Sequence, residues 1–368
     1  MEYRKLPHGE EQIGVVGLGM GGPLYQKDRK EIEAVVEKAL ANGINYFDMV
    51  AAGKAIFEPF GNVLQGRRKD AILQIHFGAS YNEKGEYAWV RDLDTVKRTL
   101  DWELKTLHTD YIDMGYLHCV DECSDYEDMK KSGIVQLLED YHRQGIVRHM
   151  GISSHTPAVA QHIMNEIPID MMMFSINPAY DYEQGDEFGI GTTSERAELF
   201  KRYEAEGVGI SVMKPFHGGK LLDARQSPFK KALTTYQCMQ YALDRPGVLT
   251  VLPGVGSLQE LDDILGFVTA DEKAKDYAEI GSFTADKVNG NCVYCQHCQP
   301  CPVGIEIGLV NKYYDLAQMG DKLAADHYRK LDVKADACVQ CGHCNSRCPF
   351  QVNQQARMKE IAQWFSQQ

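Results

Sequence analysis

The sequence predicts a parallel (β/α)8 TIM barrel followed by a small, mostly helical, loop-rich domain. Two observations predict it. Over the first ~280 residues, short apolar runs alternate with amphipathic helical stretches, about eight units in all, which is the pattern of a closed parallel sheet covered by helices. Beyond about Thr284 the pattern stops, and eight of the eleven cysteines crowd between Cys292 and Cys348. The expected boundary divides residues 1–281 from 282–368.

The eight strands expected in the barrel are QIGVVGL, INYFD, AILQIHF, YIDMGYLH, VRHMGIS, MMMFSI, GVGISVM and VLTVLP. Each is a short apolar run bounded by polar or turn residues. Helical stretches fall between them. In EIEAVVEKALANG, Ile32, Val35, Val36, Ala39 and Leu40 share one face, and Gly43 is the expected stop. DTVKRTLDWELKTL and SERAELFKRYEAEG show the same period. DEFGIGTTSERAE, after the sixth strand, reads as a longer rim loop that is either a lid or a solvated acidic loop. In the tail, IGLVNKYYDLAQMG, DKLAADHYRKL and QQARMKEIAQWF read as helices.

Gly17, Gly19 and Gly22 form G-x-G-x-x-G directly after the first apolar run. A Rossmann turn needs its helix to start within the motif, so that the helix N-terminus meets a pyrophosphate. Here Pro23 and the polar stretch LYQKDRK intervene, so the glycines are expected to shape a tight turn at the barrel rim.

The net charge is −13, which argues against nucleic acid or an anionic membrane as a partner. No apolar run approaches the ~18 residues of a membrane span. The N-terminal MEYRKLPHGEEQ has no apolar core of the kind that exports a chain, so a reducing cytoplasm is the expected location.

In such a compartment, cysteines at close spacing point to metal ligation rather than disulfides. The first run is Cys292-x2-Cys295-x2-Cys298-x2-Cys301-Pro302. The second is Cys338-x2-Cys341-x2-Cys344-x3-Cys348-Pro349. Three thiolates spaced by three residues can grip one cubane cluster, and the cysteine before proline ligates the other cluster in two-cluster ferredoxins. The spacing therefore predicts two [4Fe–4S] clusters, one on Cys292, Cys295, Cys298 and Cys348, the other on Cys338, Cys341, Cys344 and Cys301. Structural zinc and a single cluster with spare thiols are the alternatives, the latter because the first run is one residue short before its last cysteine.

The segments INYFD, DYIDMGYLHCVD, RHMGISSHTP, GISVMKPFHGGKLL and LTVLPGVGSLQELDDIL, in this order, resemble the aldo-keto reductase superfamily. The tail resembles that of bacterial aldo-keto reductases with a C-terminal ferredoxin-type domain. The resemblance implies a tetrad of Asp, Tyr, Lys and His at the C-terminal mouth of the barrel, in which Tyr gives a proton to a substrate carbonyl. Asp48 matches the Asp and His118 the His, but the Tyr position holds Gly53 and the Lys position holds His76. Lys54, His76 and His118 are then the candidate proton donors, although Lys54 reads equally as a solvated loop residue. For a nicotinamide, the resemblance points to Ser153 and Ser154 at the carboxamide and to Asn177 and Tyr180 near the ring. It points to Lys214, Gly218, Gly219, Gly254, Gly256 and Ser257 in the loops after strands seven and eight. These glycines and serines could equally do no more than shape rim turns. GVGSLQELDD lacks the Lys and Arg that a 2′-phosphate needs, so a bound nicotinamide is expected to be NADH at least as readily as NADPH.

The expected function is an iron–sulfur oxidoreductase of anaerobic metabolism. It would act on a small polar organic substrate, with the clusters as an electron relay and an external electron carrier as partner. A carbonyl reductase with a structural cluster domain, and a non-enzymatic electron carrier or redox sensor, are the alternatives. The oligomeric state is not legible in the sequence.

Overall fold

The computed structural model describes residues 1–50, 53–182, 189–277, 292, 298–318, 325, 328–348 and 351–367. The expected domain boundary and Cys295 lie outside the described residues, as do residues 186–188 of the rim loop and most of DKLAADHYRKL.

A hairpin of β1 (Tyr3–Lys5) and β2 (Gln12–Gly14) comes first. Eight parallel strands then build the barrel: β3 (Leu18–Gly19), β4 (Tyr46–Asp48), β5 (Ile72–Phe77), β8 (Ile112–Leu117), β9 (Val147–Ser153), β10 (Met171–Ser175), β11 (Gly209–Met213) and β12 (Val248–Val251). Neighbours pair in that order, and the bridge between Val16 and Val251 closes the ring. Between β5 and β8 an extra hairpin, β6 (Ala79–Tyr81) and β7 (Tyr87–Trp89), rises at the mouth.

Helices cover the outside: α1 (Arg29–Ala41), α2 (Phe57–Leu64), α3 (Leu93–Thr106), α4 (Cys123–Ser132), α5 (Ile134–Arg143), α6 (Pro157–Glu166), α7 (Pro178–Tyr182), α8 (Thr193–Ala205), α9 (Thr235–Leu243), α10 (Leu258–Thr269) and α11 (Glu272–Lys275). α1 shows why the periodicity worked. Ile32, Val35, Val36 and Ala39 are buried, and Asp28 and Glu31 form a capping box at its start. That start lies seven residues beyond Gly22, which rules out a Rossmann turn at the glycines. In the tail, α12 (Ile307–Gln318), α13 (His343–Arg347) and α14 (Gln354–Ser366) surround a small core of Ile305, Val310, Tyr314, Met358 and Ile361.

One expected strand divides. QIGVVGL is not a single barrel strand: Gln12–Gly14 pairs antiparallel with Tyr3–Lys5, and only its last part joins the barrel. The reason is packing. Leu6 and Ile13 of the hairpin are fully buried against Ile72, Met114 and Met171, and so plug the bottom of the barrel.

The plug is pinned by charge. His149 on β9 lies 3.1 Å from Glu11 Oε2 and 3.3 Å from Asp170 Oδ2. Burial pulls this imidazole down, but hydrogen bonds and charge from Asp170 and Glu11 outweigh it and raise its pKa above the ordinary value. A histidine raised in the folded state stabilises fully below its unfolded pKa, about 6.5, and the gain is lost as pH rises through the folded value. The stability gap between wild type and His149→Gln is therefore expected to shrink from pH 6 to pH 8, read as denaturation midpoints. A gap independent of pH would contradict the assignment.

Candidate functional site

The site follows from the period of two along three neighbouring strands. Tyr46 and Asp48 on β4, Gln74 and His76 on β5, and Tyr116 on β8 with His118 just beyond it climb the barrel interior in steps. Below them sit Ile72, Met114 and Met171. The middle layer is a neutral hydrogen-bonded set: Tyr46 Oη donates to Gln74 Oε1 at 2.7 Å, Ser211 Oγ donates to the same oxygen at 3.1 Å, and the Tyr46 and Tyr116 hydroxyls are 3.3 Å apart. Burial pushes both phenols up, so they stay uncharged. Gln74 was not anticipated from the sequence, yet it lies two residues before His76 on the same strand face.

The upper layer is a buried chain. Asp48 Oδ1 accepts from Gln74 Nε2 at 3.1 Å and lies 2.9 Å from His76 Nε2. His76 Nδ1 lies 3.0 Å from His118 Nδ1. His118 Nε2 in turn bonds the hydroxyl of Tyr87 on the β6–β7 hairpin. Burial, with His76, Arg91 and His155 adding to it, holds His118 well below the ordinary imidazole range. The hairpin is anchored from below, since Arg91 donates to the carbonyls of His118 and Cys119, both at 3.1 Å. Tyr87 is the member of this hydrogen-bonded chain that strand-by-strand reading missed. Its signal was SYNEKGEYAW, two strand-forming triplets around an Asn-x-x-Gly turn in which Asn82 Oδ1 accepts from the backbone of Lys84 and Glu86.

The same hairpin explains Gly53. Its backbone pairs with Glu86, and a Cβ there would sit 2.9 Å from the Tyr25 ring, so a side chain where the resemblance implies a tyrosine would have to displace that ring. Lys54 is exposed and lines a separate cavity with Asn82, Glu83 and Arg98. The structure thus brings Asp48, His76 and His118 together and leaves Lys54 outside.

Beside Asp48 lies an open cavity of about 510 Å³. Gly19, Gly21, Gly22, Lys214, Gly218, Gly219 and Gly254 line it. Gly218 and Gly219 have positive φ, 64° and 88°, and a Cβ on either would meet nothing within 4 Å, so the turn leaves a clear cradle. A dinucleotide fits such a wall, where backbone approaches phosphate closely and one lysine supplies charge. Lys214 Nζ lies 3.1 Å from His155 Nε2, and His155 Nδ1 lies 2.9 Å from Asp121 Oδ2. Ser154 Oγ donates to Asp121 Oδ1 at 3.3 Å, and Asn177 Nδ2 donates to the Lys214 carbonyl at 2.9 Å. Ser153 and Tyr180 are buried. Gly256 and Ser257 turn the other way: they engage Glu260 at the start of α10, with Gly256 N donating to Glu260 Oε2 at 2.7 Å.

In the tail, Cys298, Cys301, Cys338, Cys341 and Cys344 line one cavity. Burial pushes the Cys344 thiol up, and the nearby Cys338 and Cys341 add to it. Five thiols around an apolar pocket fit a thiolate-bound cluster. Cys292 Sγ lies apart, 3.6 Å from Gln354 Nε2, and Cys348 does not line that cavity.

Residues 12–235 match the model of the aldo/keto reductase family, and residues 289–352 match that of a 4Fe-4S dicluster domain. Among curated proteins, the uncharacterized oxidoreductase YqkF of Bacillus subtilis is 25% identical over 71% of this chain and 89% of its own. L-galactose dehydrogenase of Arabidopsis thaliana is 23% identical over 73% and 88%. Among solved structures, the holo form of aldo-keto reductase AKR11C1 from Bacillus halodurans aligns with a TM-score of 0.63 at 22% identity, over 77% of this chain and 96% of that one. An aldo-keto reductase from Klebsiella pneumoniae in complex with NADPH aligns with a TM-score of 0.54 at 16% identity, over 74% and 91%. Among the described residues, no helix is long and apolar enough to cross a membrane.

Proposed function

The chain belongs to the aldo/keto reductase family, and from that premise we propose that it interconverts a small polar carbonyl compound and its alcohol at the barrel mouth. A nicotinamide is the hydride carrier. A tail domain beginning near residue 282 holds two clusters that pass single electrons between the barrel and an external carrier. The clusters sit on Cys292, Cys295, Cys298 and Cys348, and on Cys338, Cys341, Cys344 and Cys301. Eight thiolates suit a reducing cytoplasm and an anaerobic metabolism.

One observation carries the reading. Asp48 is both the inner end of the buried chain through His76 and His118 and part of the wall of the glycine-lined cavity. Proton-handling groups and a dinucleotide-sized cavity therefore meet at one residue. When bound, the nicotinamide supplies or removes a hydride. Lys214 and the turn at Gly218 and Gly219 would hold its phosphates, with Ser153, Ser154, Asn177 and Tyr180 behind the ring. The loop after β12 presents Glu260 and no base, which favours NADH over a cofactor with an added 2′-phosphate.

A plain carbonyl reductase with a structural cluster domain is the second reading, favoured by Cys298 and Cys344 being part of the tail's own small core. The common ground is tested with methylglyoxal and 4-nitrobenzaldehyde, following NADH and NADPH oxidation by anaerobic holoenzyme. Turnover with NADH at least equal to that with NADPH supports both readings. No nicotinamide binding and no turnover contradicts both.

A further inference from the structure

We propose that Tyr87, brought to the mouth by the β6–β7 hairpin, exchanges the proton with the substrate oxygen, and that the Asp48–His76–His118 chain behind it stores that proton. The proposal rests on the carbonyl–alcohol reading above.

Position comes first. His118 is 3% exposed and Tyr87 is 37% exposed, so the chain of hydrogen bonds runs from a buried imidazole to a partly exposed residue on the hairpin. The rings of Tyr87 and His118 stand nearly perpendicular, with centroids 5.7 Å apart, which aims the hydroxyl at the imidazole edge. Tyr46 and Tyr116 are fully buried beneath the chain and cannot touch a substrate. Gly53 has no side chain to offer, and Lys54 lines a different cavity. Arg91 fixes the base of the hairpin, so the geometry does not depend on an untethered loop.

The hydrogen count then sets the direction of the chain. Gln74 Nε2 lies 2.9 Å from His76 Nε2 but has its two hydrogens on Asp48 Oδ1 and Met173 Sδ, and Asp48 is an acceptor, so a neutral His76 carries its hydrogen on Nε2 and presents a lone pair at Nδ1. His118 must then carry its hydrogen on Nδ1 and accept at Nε2, and the Tyr87 hydroxyl donates inward. This state can receive a proton from an alcohol. One further proton on the Asp48–His76 pair reverses every bond. His76 Nδ1 donates to His118 Nδ1, His118 Nε2 donates to the Tyr87 oxygen, and the phenol hydrogen is released toward the mouth. This state can give a proton to a carbonyl.

In reduction, the hydride supplied by a reduced nicotinamide forms the new C–H bond. The Tyr87 proton goes to the carbonyl oxygen. Tyr87 recovers a proton from His118 Nε2, His118 Nδ1 takes one from His76 Nδ1, and the store is emptied. The sum is carbonyl plus hydride plus one stored proton giving alcohol, and oxidation is the reverse. The groups facing this chain are Tyr46 and Tyr116 from below, Arg91 and Cys119 beside Tyr87, and His155 and Asp121 across the mouth. Burial lifts the Tyr87 phenol well above its ordinary value, and the Cys119 thiol adds to this, so the residue works as a phenol and not as a standing phenolate.

The test compares wild type, Tyr87→Phe and His118→Gln as anaerobic holoenzymes. The probes are methylglyoxal and 4-nitrobenzaldehyde with NADH, NADH binding by fluorescence, and 15N NMR of labelled histidines. For Tyr87→Phe we expect kcat to fall about 10²–10⁴-fold, NADH binding and iron content to stay at wild-type values, and the His118 Nε2 resonance to move as its hydrogen bond is lost. Wild-type reduction should also decline as pH rises and the store empties. If Tyr87→Phe keeps kcat within about threefold of wild type while His118→Gln is inactive, a difference far below the usual worth of a general acid, the role of Tyr87 fails and the carbonyl reading survives. An unmoved His118 resonance overturns the contact itself. If wild type turns over neither probe, the carbonyl reading fails and this proposal falls with it.

Discussion

His76→Leu is expected to lower carbonyl turnover about 10²–10⁴-fold, the usual worth of positioned acid–base machinery. The substitution cuts the chain at its middle. Asp48 loses its partner at 2.9 Å, and His118 Nδ1 loses the group that fixes its tautomer. His76 touches no substrate in this account, so its role is to position and supply His118. A merely structural role would lower rate equally at every pH. The account instead expects the pH dependence of reduction to flatten, because the proton store is gone. Stability should fall as well, by about 1–3 kcal/mol, since a buried carboxylate is left with fewer donors. Gln74 Nε2 and the backbone of Val50 still reach Asp48 Oδ1, which keeps that cost moderate. NADH binding measured by fluorescence checks that the cavity survives. An unchanged kcat with an unchanged pH profile would contradict the chain.

Cys338→Ala is expected to remove about four of about eight irons per chain and to loosen the tail, because a cubane that loses one thiolate is poorly held. Four of the five cysteines around the tail cavity, Cys298, Cys301, Cys338 and Cys344, take part in its packing as well as in the proposed ligation. Iron and sulfide content and susceptibility to protease report the two effects separately. Cys238→Ala and Cys119→Ala are the controls. Cys238 is buried in α9, where burial pushes its thiol up to about 12, and Cys119 is pushed up to about 11 in the same way. Neither thiol lines the tail cavity, and both variants should keep their full iron. Loss of iron in the controls, or none in Cys338→Ala, would contradict the proposed ligand set.

The contrast between what was legible and what was not follows from range. His76 and His118 were legible because they stand where the family resemblance places a Lys and a His, at the ends of strand-like apolar runs. The cysteine runs were legible because three ligands on one tight loop leave a fixed spacing in the chain. Tyr87 was missed because its importance arises from a contact across 31 residues, through a hairpin that does not belong to the barrel repeat. Lys54 was suggested by its nearness in sequence to Gly53, but the backbone pairing of Gly53 with Glu86 directs the two sides of that loop to different cavities. QIGVVGL misled because one apolar run served two packing tasks, plugging the barrel floor and closing its wall. Gln74 could have been found by extending the period of two back from His76.

The central claim is that the barrel and the clusters are one redox system, and the most direct test is EPR of anaerobically purified protein before and after NADH is added, with iron and sulfide quantified. The account predicts about eight irons per chain and signals of reduced clusters that appear on NADH addition. Clusters left oxidised by NADH while carbonyl turnover proceeds would contradict the relay and leave the tail a structural domain. Zinc in place of iron would contradict the cluster assignment itself.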